Sequence, residues 1–195
     1  MAVHFHIPGI ADTFHLNKLL WMLMEEYPDA FREDTDIGSI YGEFPTSQWN
    51  GGRVNGGLLN EEDIQFLIDE INGKGISLRL TYTNPLVSKP HLDDPHCNRC
   101  LQLADRKDRL NAVILVSSEL ERYVRKKYPN YRIVSSTCKQ ITDFDRLCEE
   151  LEKDYVTVVL DYNLNNQFDL LRRLPHKEKV EILVNALCPP NCQRR

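Results

Sequence analysis

No run of apolar residues in this chain approaches the roughly 18 needed to cross a bilayer as a helix. The amino terminus, MAVHFHIPGIADTFH, lacks a basic segment followed by an apolar core. Neither a membrane-spanning helix nor a secretory leader is expected, and a cytoplasmic protein without membrane partners is. Cysteine is also scarce: six in 195 residues are too few for a disulfide scaffold. In a reducing compartment those thiols are buried or bind metal. Positive charge is not in surplus, since the net charge is -5, and nucleic acid is not indicated as a partner. Neither a P-loop nor a dinucleotide fingerprint occurs, and the glycine-rich WNGGRVNGG offers only Arg53 and backbone N–H groups for an anionic substrate.

What is present is an ordinary globular composition, 42% hydrophobic and 27% charged, over a length that suits one domain. Strand and helix patterns alternate. Phe14 to Tyr27 carries Leu16, Leu19, Leu20 and Leu23 at helical spacing, Asp36 to Phe44 reads as a strand, and Asn60 to Ile71 reads as a helix capped by Asn60. Ile76 to Thr83, Ala112 to Val116, Tyr131 to Ser135, Val156 to Asp161 and Val180 to Asn185 read as further strands. Helices at Ser118 to Tyr128, Thr142 to Lys153 and Gln167 to Arg173 separate the later ones. Continuous runs such as VTVVL suit strands buried on both faces, so the sheet is expected to be mostly parallel. The expected fold class is α/β, an incomplete or modified TIM-barrel-like arrangement of about six strand–helix units. Residues 1–195 then form a single domain, itself a fragment of a larger barrel or an open sheet. The amino-terminal VHFHI is a candidate additional strand.

Parallel strands send their following loops to one face, which is where α/β proteins keep their chemistry. The loop from Asn84 to Arg99 would bring His91, Asp93, Asp94, His96, Cys97 and Cys100, and the last loop would bring Cys188 and Cys192. Cys138 follows its own strand to the same face. Paired thiols at these spacings suit a tetrahedral zinc or an iron–sulfur cluster, so Cys97, Cys100, Cys138, Cys188 and Cys192 are candidate metal ligands. Free cysteine is also among the most buried residue types, and Cys148, between Leu147 and Leu151, reads as core. His91 and His96 are candidate acid–base groups, and Asp161 with Asn163, at a strand end in LDYNLNNQF, are candidate catalytic and substrate-binding residues. His4 and His6, two apart in an extended segment, read as structural. Arg122, Arg125, Lys126 and Lys127 share a helix with Glu119 and Glu121 and read as a solvated face.

The closing VEILVNALC resembles the segment of the collagenase-like peptidase family of unassigned catalytic type in which a Val-Glu strand runs through a small residue into a cysteine. Glu181, Ala186 and Cys188 stand at the matching positions. That resemblance implies a barrel, a four-iron, four-sulfur cluster on cysteines, with zinc as the alternative metal, and either peptidase-like or oxygen-independent hydroxylase-like activity. Pro189, Pro190 and Asn191 separate Cys188 from Cys192 more closely than the family pattern does. The remaining ligands are then Cys97, Cys100 or Cys138, or the cluster is absent, or the chain is a shortened form.

The expected function is a cysteine-ligated metal or iron–sulfur barrel protein acting on a small molecule, a peptide or a modified nucleotide. Cys188 and Cys192 would hold the cofactor. The competing expectation is a non-catalytic binding or assembly module with buried cysteines, whose open sheet edge pairs with a second copy or with a missing carboxyl-terminal region.

Overall fold

Residues 3–51 and 57–185 are described by a computed structural model in which seven strands alternate with six helices. The strands are β1 (Val3–Pro8), β2 (Thr35–Gly42), β3 (Ser77–Tyr82), β4 (Ala112–Leu115), β5 (Arg132–Ser135), β6 (Thr157–Val159) and β7 (Val180–Glu181). The helices are α1 (Phe14–Glu26), α2 (Glu61–Gly73), α3 (Pro95–Leu103), α4 (Ser118–Lys127), α5 (Phe144–Glu152) and α6 (Phe168–Arg173). VHFHI does form a strand, and it opens the sheet.

Helix starts follow from side-chain chemistry. Asn60, Asp94, Ser117 and Asp143 each accept a backbone N–H from the first turn of α2, α3, α4 and α5, satisfying donors that a helix leaves orphaned. On α4 the basic cluster is balanced as its sequence suggests: Arg122 bonds Glu119 at 2.5 Å and Arg125 bonds Glu121 at 2.9 Å.

All six strand pairings are parallel, and the strands lie side by side in chain order. Right-handed crossovers that always step in one direction put every helix on the same face. A doubly wound sheet would need a reversal of order, and none occurs among the described residues. On the helix-covered face Ile40, Leu78, Leu80, Val113, Leu115, Ile133 and Val158 pack with Trp21, Ile68, Leu101, Leu120 and Leu147 in one core. The opposite face carries a small separate apolar cluster, Ala112, Ile114, Val134 and Val159, with Tyr41 against it.

The sheet is strongly curled. In a flat sheet with about 4.8 Å between strands, β3 and β7 would stand roughly 19 Å apart and β1 and β7 roughly 29 Å. Yet Arg79 of β3 bonds Glu181 of β7 at 2.6 Å, and His6 of β1 lies 3.5 Å from the same carboxylate. Only a sheet rolled around its helix-free face allows both contacts. The fold is an α/β half-barrel with helices outside, consistent with an incomplete TIM-barrel-like arrangement.

One expected loop is corrected. Within Asn84 to Arg99, Asp94 and Pro95 form an N-cap and first-turn proline, so α3 begins there and carries His96, Cys97 and Cys100 away on a helix. The loop after β2 folds back over the carboxyl end of β3. Trp49 is fully buried edge-on to Tyr82, and a Cβ on Gly51 would meet the Thr83 carbonyl at 2.7 Å, so only glycine fits that approach.

Candidate functional site

Pairing register shows which side chains share the concave face. His6 pairs with Ser39, Ser39 with Ser77, and Tyr41, Arg79, Ala112 and Arg132 form one row across β2 to β5. Val159 pairs with Glu181 at the far edge. The inside of the curl is therefore polar along the β1–β3 side and, beyond Arg132 and Thr157, apolar along β4–β6.

At its centre four strands converge. His6 Nδ1 is 2.7 Å from Ser39 Oγ, and His6 Nε2 is 3.5 Å from Glu181 Oε2, too far for a good hydrogen bond. Arg79 Nη1 donates to the same Glu181 oxygen at 2.6 Å. Burial and the adjacent Arg79 charge lower the His6 pKa below its ordinary 6.5, against the opposing pull of Glu181. That shift favours the neutral imidazole at pH 7. In the tautomer whose Nδ1–H donates to Ser39, Nε2 carries the lone pair, which is the form a general base needs. Arg79 is 7% exposed, and its Nε is buried with no partner among the described residues. That is a costly orphan donor, of the kind an anionic ligand group satisfies.

Above this centre, toward the carboxyl ends of the strands, Glu43 accepts from Thr81 Oγ1 at 3.0 Å, and Thr83 Oγ1 lies 3.3 Å from Asn50 Oδ1. Asp161 follows β6, is 3% exposed, and accepts the backbone N–H and side-chain amide of Asn163 at 2.9 and 2.7 Å. It caps the turn Tyr162–Leu164 while Asn163 stays exposed.

The other sequence candidates lie apart. His91 ends a single turn, where its Nδ1 accepts the Ser88 N–H at 3.1 Å, a capping role. His96 lies on α3 beside Cys100, with 3.7 Å between Nε2 and Sγ. His91 thus sits in the turn before α3, His96 on α3 and Asp161 at the turn after β6. Cys97 and Cys100 are 0% and 2% exposed in the helix-side core, where burial pushes their thiols up to about 11 and about 12. Both are protonated at neutral pH. Cys138 is half-buried in the turn after β5, and Cys148 is half-buried on α5. Arg53, Cys188 and Cys192 lie outside the described residues. Among the described residues no group of three or more His, Cys, Asp or Glu side chains is placed to hold a metal ion.

Arg79 and Glu181 as an interior pair were not anticipated. A signal was present in SLRLTY, where a lone arginine sits on the alternate face of an otherwise buried strand. His6 needed only its register against Ser39.

An α/β half-barrel with a buried polar centre on its concave face is thus the class that fold and site define. Among solved structures the chain is similar to that of the U32 peptidase Mk0906, with a TM-score of 0.53 and 12% sequence identity over 93% of this chain. The chain spans 66% of that structure's length. No family model matches the sequence, and no curated protein is significantly similar to it.

Proposed function

We propose that the chain is a collagenase-like peptidase-type half-barrel that binds a peptide, or a small molecule with a carboxylate end, on its concave face and uses His6 to move a proton. The observation that carries this reading is the convergence of His6, Ser39, Arg79 and Glu181 from β1, β2, β3 and β7. The likeness to a U32 peptidase supports it at the level of fold.

In this reading the ligand's carboxylate accepts from Arg79, whose Nη1 is taken by Glu181 and whose Nε–H edge, shared with Nη2, forms a fork suited to two oxygens. Ser39 orients the imidazole through Nδ1. His6 Nε2 takes a proton from the water that attacks the scissile carbonyl and returns it to the amine that leaves as the C–N bond breaks, and the imidazolium formed between these steps is stabilised by Glu181. The described residues do not assemble the cluster that the resembled family implies, so no step runs through it.

The test is turnover of gelatin-derived peptides, followed by mass spectrometry. Cleavage should fall at least about a hundredfold in His6→Gln, while Arg79→Met should weaken peptide binding. A wild-type protein that neither binds nor cleaves any peptide in such a digest sinks the proposal.

A further inference from the structure

A second cleft opens at the other end of the sheet. It lies beside the amino ends of β5 and β6, encloses about 430 Å³, and is lined by Asp108, Arg109, Arg125, Arg132, Asp154 and Tyr155, among others. The volume lies within the range of small-molecule sites, about 300–1,000 Å³.

Its charges do not cancel. Asp108 is already gripped by Arg106 at 2.6 Å, and Asp154 by Arg125 at 3.2 Å. Arg125 also bonds Glu121 at 2.9 Å. Arg109 and Arg132 remain. Arg132 is held by neutral oxygens only, those of Ser77 (3.2 Å) and of the Leu110 carbonyl, and its Nε is buried without a partner among the described residues. Arg109 is exposed, makes no ion pair among the described residues, and is held in the left-handed region at φ 57°, an uncommon conformation for a side chain of its size. Burial and the charges of Arg79 and Arg109 depress the pKa of Arg132, so the guanidinium groups repel one another across the cleft.

We infer that this cleft is a binding site for the phosphate group of a small phosphate monoester, held between Arg109 and Arg132. A doubly charged tetrahedral oxyanion offers enough oxygens for two guanidinium forks and supplies the counter-charge that Arg109 and Arg132 lack among the described residues. Arg125, fixed by Asp154 and Glu121, lines the wall beside it. The site lies at the amino ends of the strands, at the other end of the sheet from the strand-end loops, and Arg132 shares its row with Arg79.

Thermal unfolding of the full chain in inorganic phosphate, compared with chloride at equal ionic strength, reads it directly. At a phosphate concentration ten times Kd the midpoint should rise by about 4 °C. Arg109→Asn removes the charge while asparagine accepts the left-handed backbone, and should weaken phosphate binding about tenfold with an unchanged far-UV CD spectrum. Arg132→Gln should do the same, whereas Arg172→Ala on the exposed α6 should leave binding intact. Vesicles containing phosphatidic acid form the other arm, and binding to them without binding to soluble phosphate overturns the inference. So does an equal midpoint in phosphate and chloride, or full affinity in Arg109→Asn.

Discussion

Glu150 on α5 is 3% exposed, and both of its carboxylate oxygens are occupied. Ser135 Oγ and Lys139 reach Oε1 at 2.5 and 2.6 Å, and Lys153 reaches Oε2 at 2.5 Å. Burial alone would raise its pKa, but these three donors outweigh it and hold the group at about 2, below its ordinary 4.5. A depressed carboxylate stabilises the fold fully above the unfolded value and loses that contribution as pH falls through the folded one. Acid titration of stability should therefore show a loss of about 2–3 kcal/mol between pH 4.5 and pH 2. Glu150→Gln should flatten that limb in urea unfolding followed across pH, and an unchanged limb would remove Glu150 as its source. His6 has the opposite use. Its lowered pKa places the acid limb of any His6-dependent activity below pH 6.5, because protonation removes the Nε2 lone pair. A pH–rate profile that breaks above 6.5 would assign the proton transfer elsewhere.

Among the elements, α3 best shows which patterns local sequence reveals. Most elements were legible because their signals are local: Asn60 capping α2, the Ile64, Leu67, Ile68 and Ile71 spacing, and the β-branched run of β6. The segment HLDDPHCNRC is short and polar, and its histidines and cysteines suggested a ligand loop. The physical content was Asp94 accepting from Cys97 N at 2.7 Å, with Pro95 in the first turn and Cys97, Cys100 and Leu101 turned into the core. Ser47 Oγ, 3.4 Å from Cys97 Sγ, completes that packing. Removing the cap with Asp94→Ala should lower stability by about 1 kcal/mol in denaturant melts. Cys97 and Cys100, as buried protonated thiols, should resist a disulfide reagent at pH 8 in the native protein and react only at the rate of unfolding. Rapid native labelling of both would contradict the core placement. The candidate site was less legible than α3, because Arg79 and Glu181 are 102 positions apart and only the roll of the sheet joins them.

For the molecule as a whole, that same pair ties the middle of the sheet to its far edge. Arg79 and Glu181 have 8% and 15% of their side-chain surface exposed, so each is largely withdrawn from water and each depends on the other. Glu181→Gln leaves the arginine charge buried without a counter-charge, for which the expected loss is about 3–5 kcal/mol. Arg79→Met leaves Glu181 without its cationic partner. If the pair also sets the curl, the double variant Arg79→Met, Glu181→Leu should recover much of the stability, since apolar residues of similar size often replace a buried ion pair without loss. It should not recover peptide binding, because the fork that receives the ligand's carboxylate is gone. A double-mutant cycle in urea, with peptide binding measured on the same four proteins, separates the two roles. Stability and binding returning together in the double variant would show that Arg79 acts only by shaping the sheet. Stability returning alone would make it the ligand's anchor, with the roll of the sheet maintained by packing between strands and helices.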